Sequence, residues 1–125
     1  MKAAVLVLML AVPAAAQEFA SSEGASLRFL DKLTSETGDV TLSRGQAAKF
    51  GRLVVHLDDC RYPVDNPSSD SEAHLTIVEE TTRSQLFSGW MLSSSPALSA
   101  LDHPRYDVWV LSCILPEATS EGEGE

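Results

Sequence analysis

Arg52-Leu53-Val54-Val55-His56-Leu57-Asp58 is the stretch that sets the class of the fold. Leu53, Val55 and Leu57 recur at every second residue, which puts them on one face of an extended chain, the mark of a half-buried strand. Asp58, Asp59, Arg61, Tyr62 and Pro63 read as its end, with Cys60 at the terminus. Pro63 to Ser71 is a polar loop. Ala73, Leu75 and Ile77 then alternate with His74, Thr76 and Val78, a second strand of the same kind. Glu79 to Ser84 reads as a polar turn or hairpin loop. Gln85 to Leu92 reads as a further strand, in which Gly89 marks a bulge or a close backbone approach. Tyr106 to Leu115 carries the strongest strand signal, because Val108-Trp109-Val110-Leu111 is continuously apolar. Such a run predicts burial on both faces, and Trp109 is expected in the core.

Upstream, Val40-Thr41-Leu42 alternates between turn signals at Thr37-Gly38-Asp39 and Arg44-Gly45. Leu27 to Leu33 is mixed, and residues 17–26 read as a flexible lead. Ser93-Ser94-Ser95-Pro96 breaks the strand pattern; Ser95 as N-cap and Pro96 at the first helical position predict one short helical turn near 96–101, stopped by Asp102-His103-Pro104. The sum is all-β: a small antiparallel sandwich or barrel of about six to seven strands. Residues 27–116 form one β domain, since about 100 residues make a single core.

The N-terminus has a different character. Lys2 is followed by the apolar run Ala3 to Val12 and by Pro13-Ala14-Ala15-Ala16, with small residues at the positions that precede a cut before Gln17. Residues 1–16 therefore read as a secretory signal peptide. The run is too short to span a bilayer, which takes about 20 apolar residues, and no membrane span is expected after cleavage. The chain has a net charge of −9. Removing Lys2 makes it −10, and Glu117, Glu121, Glu123 and Glu125 put four of those charges in the tail, leaving −6 on the folded part. Residues 117–125 have no apolar period and read as an acidic disordered tail. The acidic balance argues against nucleic acid and anionic lipid as partners. It serves solubility and is compatible with a basic protein partner.

Two cysteines remain, Cys60 and Cys113, each at the end of a predicted strand. Export places them where a disulfide persists, and a structural Cys60–Cys113 bridge is expected. There is no Cys-x-x-Cys spacing for redox work. His56 and His74 occupy polar positions of alternating strands, where with Asp58 they could meet a metal, but no His-x-His or compact cluster is present, so no metal and no cofactor are expected. Ser94, Ser95, Asp102 and His103 invite a triad reading, yet the Gly-x-Ser-x-Gly elbow is absent, and local capping by these residues is the simpler role. Asp58-Asp59 and Glu79-Glu80 are chain neighbours, which a regular strand turns to opposite faces, so neither makes an acid/base pair. No catalytic residue is assigned. Trp90, Met91, Pro96, His103 and Tyr106 are the candidate contact surface, drawn from a stretch rich in aromatic residues and serine.

Phe50-Gly51-Arg52-Leu53, Cys60-Arg61-Tyr62-Pro63, Phe87-Ser88-Gly89-Trp90-Met91, Ser94-Ser95-Pro96-Ala97-Leu98-Ser99-Ala100-Leu101 and His103-Pro104-Arg105-Tyr106-Asp107-Val108-Trp109-Val110 resemble a family of short exported bacterial proteins, domain of unknown function 2155. The likeness runs from Leu27 to Cys113. It implies a single domain exported from a Gram-negative cell, periplasmic or secreted, and brings no activity or catalytic residue with it. The combined expectation is a non-enzymatic β domain that binds another envelope protein or supports an envelope assembly. Two rival readings stand beside it. One is an inhibitor of a cationic cell-wall hydrolase, steered by the acidic charge. The other is a small serine hydrolase using Ser94 or Ser95 with His103.

Overall fold

The computed structural model describes residues 2–11, 18–94, 101 and 103–115. Residues 2–11 form no helix or strand, and among the described residues no helix is long and apolar enough to cross a membrane. Eight strands follow: β1 (Phe19–Ser21), β2 (Gly24–Asp31), β3 (Glu36–Ser43), β4 (Ala47–Phe50), β5 (Leu53–Pro63), β6 (Glu72–Glu79), β7 (Gln85–Leu92) and β8 (Tyr106–Cys113). They make two antiparallel sheets, one in the order β1-β5-β6-β7 with β4 also on β5, the other in the order β3-β2-β8. Inward side chains of both sheets share one core: Leu53, Val55, Leu57, Leu75 and Ile77 from the first, Leu27, Phe29, Val108 and Val110 from the second. The all-β, sandwich-like class expected from the alternation is what the chain adopts.

β5 is the organising strand. β6 pairs with it from Leu53 to Arg61. Its other edge is closed piece by piece. β4 covers Leu53 to His56. The backbone N–H of Gly45 donates to the Leu57 carbonyl (2.8 Å), that of Leu57 donates to Gln46 (2.9 Å), and that of Ser22 donates to Cys60 (2.7 Å). β1 finishes the edge at Arg61 to Pro63. No run of buried backbone is left unpaired there, as burial demands. The disulfide joins Cys60 of β5 to Cys113 of β8, and so ties one sheet to the other.

Several expectations need correction. β5 does not end at Cys60. A register shift between Leu57 and Asp59 inserts a bulge, and the strand runs on to Pro63, with Cys60 and Tyr62 inward. Residues 17–26 are not simply a lead, because they contain β1 and the buried start of β2, with Ala25 in the core. Thr37-Gly38-Asp39 lies within β3; the turn is at residues 32–35, where Ser35 has φ 63°. It forms there because the Asp31 carboxylate accepts the backbone N–H groups of Leu33 (2.9 Å) and Thr34 (3.3 Å), a local turn that competes with strand geometry. Gly89 pairs regularly with Leu75, and the irregularity in that ladder falls between Ile77 and Val78. β8 is buried on one face: Tyr106, Val108, Val110 and Cys113 point inward, while Trp109 is half-buried on the outer face opposite Arg28. With two layers only, one face of each sheet meets the core. The helical turn near 96–101, Pro96 and the tail 117–125 lie outside the described residues, Leu101 excepted; it is buried in the core.

Candidate functional site on the outer face of the larger sheet

The pleat that sends Leu75, Ile77, Cys60 and Met91 inward sends Arg61, Glu72, His74, Thr76 and Trp90 outward. Register aligns them: Arg61 opposite Glu72, His74 opposite Trp90, and Thr76 opposite Ser88. β1, laid along the end of β5, adds Phe19 to the same face. Trp90 and Phe19 stay 37% and 41% exposed, the two aromatic side chains most open to solvent on this face. The guanidinium of Arg61 lies between them, 4.1 Å from the Trp90 ring and 5.7 Å from the Phe19 ring. It also forms an ion pair with Glu72. Stacking of a guanidinium on an indole is worth about 0.5–2 kcal/mol, and here it holds both partners in one arrangement. The Nε of Arg61 is enclosed without a hydrogen-bond partner.

The bulge supplies the next group. Two residues, Asp58 and Asp59, face His74 where a regular strand would place one. Asp59 turns its carboxylate back to its own chain and accepts the Cys60 N–H (2.8 Å). Asp58 reaches over β6, where its Oδ2 accepts from His74 Nδ1 (2.8 Å) and Thr76 Oγ1 (2.6 Å). The carboxylate fixes the proton of His74 on Nδ1, and the ring meets Trp90 edge-on at 5.1 Å. The argument that adjacent acids point apart thus fails at Asp58-Asp59, but their two carboxylates take separate structural tasks. Asp58 and His74 could offer a metal two ligands; among the described residues no group of three or more His, Cys, Asp or Glu side chains is placed to hold one.

The residues expected to form a contact surface do not form one patch. Trp90 is on it. Met91 faces the core at 1% exposure, the necessary consequence of following Trp90 in a strand. Tyr106 is also a core residue, 3% exposed, in T-shaped contact with Phe50. His103 is half-buried at the far end of the sandwich, and Pro96 lies outside the described residues. Nor are Ser94 and His103 brought together, and Ser95 and Asp102 lie outside the described residues. Ser94 donates its N–H to Asp70 (3.3 Å) beside the start of β6, whereas His103 shares a cleft with Glu79 at the end of β6, about 23 Å away at ~3.3 Å per residue. The Nδ1 of His103 already accepts the N–H groups of Arg105 (3.0 Å) and Tyr106 (3.1 Å). Sequence reading missed Phe19 and Arg61; it grouped Asp58 with His74, which the structure brings together, but as metal ligands rather than as a hydrogen-bonded pair. The available signal was the alternation that resumes, one residue out of phase, at Cys60-Arg61-Tyr62.

A family model described as an uncharacterized protein conserved in bacteria (DUF2155) matches residues 25–113. The chain belongs to this family. An uncharacterized protein of Rickettsia prowazekii (strain Madrid E), RP359, is 30% identical over 99 residues, which cover 77% of this chain and 64% of that protein. No solved structure matches. The DUF2155 span takes in both cysteines and the Arg61, Glu72, His74 and Trp90 cluster, whereas Phe19 lies before it. The part of the patch built on β5, β6 and β7 is therefore the part that belongs to the DUF2155 domain itself.

Proposed function

We propose that this DUF2155 protein is an exported binding module, not an enzyme, and that it engages another protein of the cell envelope through the outer face of its larger sheet, centred on Trp90. The observation that carries this reading is the state of Trp90: a large aromatic residue left 37% exposed, on a rigid sheet, with its neighbours already locked by Arg61–Glu72 and His74–Asp58. Tryptophan and arginine dominate the energetics of protein contacts, and an anchor held in place before binding loses little side-chain entropy on docking. Export is supported by the apolar segment Ala3 to Val12 and by the Cys60–Cys113 bond, which suits an oxidising compartment. The test is capture of partners from a native envelope extract by the oxidised protein, with Trp90→Ala beside it. We expect one partner retained by the wild type, with at least about tenfold less retained by a variant that still melts cooperatively. Equal capture by the folded variant would remove this face from the reading.

A further inference from the structure

At the other end of β6 three segments converge on a cleft of about 260 Å³. The β4–β5 turn brings Arg52, whose backbone N–H donates to the Tyr106 hydroxyl (3.4 Å). The β6–β7 hairpin brings Glu79 and Thr82 and is fastened to the first segment by Glu80 N–H donating to the Arg52 carbonyl (2.7 Å). The approach to β8 brings His103, Arg105 and Tyr106.

The polar groups on this cleft are mainly donors. Arg52 is exposed, and among the described residues it has no carboxylate at ion-pair distance. Because Nδ1 of His103 accepts two backbone N–H groups, the neutral ring carries its proton on Nε2, a donor. Asp31 takes the Nε and Nη2 of Arg105, and among the described residues Nη1 has no hydrogen-bond partner. The one acid on the wall among the described residues, Glu79, is already accepting from the N–H (2.6 Å) and hydroxyl (3.0 Å) of Thr82. Those bonds, the backbone N–H first, hold its carboxyl below the usual range and so keep it ionised.

We infer that the cleft is a binding site for a carboxylate. Guanidinium and imidazole side chains on the walls of one cleft match a planar oxyanion. The charge already present selects among oxyanions: Arg52 and Arg105 are balanced by Glu79 and Asp31, so a monoanion is accommodated more easily than a divalent phosphate in a chain of net charge −9. The volume is below the ~300 Å³ at which pockets for drug-sized ligands begin, which suits a small acid or the terminus of a peptide. The site is independent of the Trp90 face and stands or falls without it.

The test is an amide-resolved NMR titration of the full oxidised protein at constant ionic strength with acetate, N-acetyl-Ala-Ala, its C-terminal amide and inorganic phosphate. We expect the two free acids to move the amides of Arg52, Thr82 and Tyr106 saturably. Arg52→Gln should weaken this by about tenfold with an unchanged melting curve, while Arg44→Gln should leave it unchanged. Tighter binding of the dipeptide acid than of acetate would assign the source to a chain terminus, and equal binding would assign it to a small acid. Equal shifts with the amide, preference for phosphate, indifference to Arg52→Gln, or no saturable shift with any probe would each overturn the inference.

Discussion

Asp31 is the one buried charged side chain among the described residues, 4% exposed at the end of β2. It is tolerated there because it is fully answered: Arg105 grips both oxygens (2.9–3.2 Å) and two backbone N–H groups of the following turn donate to Oδ1. The Arg105 guanidinium, foremost, holds its carboxyl down at about 2. A carboxyl whose folded value lies below its unfolded value of 3.8 contributes stability at neutral pH that disappears as the pH falls from about 4 through about 2. Urea midpoints from pH 6 to pH 2 should therefore fall in the wild type. Asp31→Asn should start lower at pH 6 and lose less over the same interval, and parallel curves for the two proteins would show that Asp31 does not carry the effect. Gly51 is a second residue with no substitute. Its φ is +57°, and an added Cβ would overlap the Tyr106 ring. Gly51→Ala should cost about 1–3 kcal/mol in urea unfolding, whereas Gly38→Ala, with open space around it and no positive φ, should stay within about 0.5 kcal/mol.

At the scale of elements, the bulge in β5 decides which residues face out. Inward positions run Leu53, Val55, Leu57 and then Cys60, Tyr62; the extra residue absorbs the change of phase. Deleting Asp58 should thus leave Cys60 pointing inward and yield an oxidised, folded protein. Deleting Thr76 from the bulge-free stretch of β6 should invert the residues on one side of the cut and yield free thiols and no cooperative melt. A thiol count with a melting curve on each variant decides it. The same bulge marks where the sequence stopped being legible. Strict alternation reveals β6 and the first half of β5, because one buried face imposes period two. It hides the second half of β5, where the period slips, and with it the outward placement of Arg61. β8 misled in the other direction. A continuous apolar run meets the need of only one buried face, and nothing in the run says that Trp109 faces out. Of the contact residues, the type of Trp90 made it a candidate but left core and surface equally open; Phe19 gave no signal, since a three-residue strand carries no period.

Across the whole molecule, the disulfide adds a covalent cross-link between two sheets that share one side-chain core and are joined elsewhere by the chain's own crossings. Cys60 and Cys113 are 53 residues apart, and closing a loop of that length should stabilise by about 4 kcal/mol. Cys60→Ser with Cys113→Ser should lower the unfolding free energy by that amount. Both half-cystines are buried, so reductant added to the folded protein should act only as fast as the chain opens. A variant as stable as the wild type would show that the core alone holds the sheets together. The opposed placement of the two tryptophans has an optical consequence. Trp90 lies on the outer face of one sheet and Trp109 on the outer face of the other. Each face thus carries its own intrinsic fluorophore. Trp90→Phe and Trp109→Phe would separate their emission, and an unlabelled partner arriving on either side would declare its side by the colour of the light it shifts.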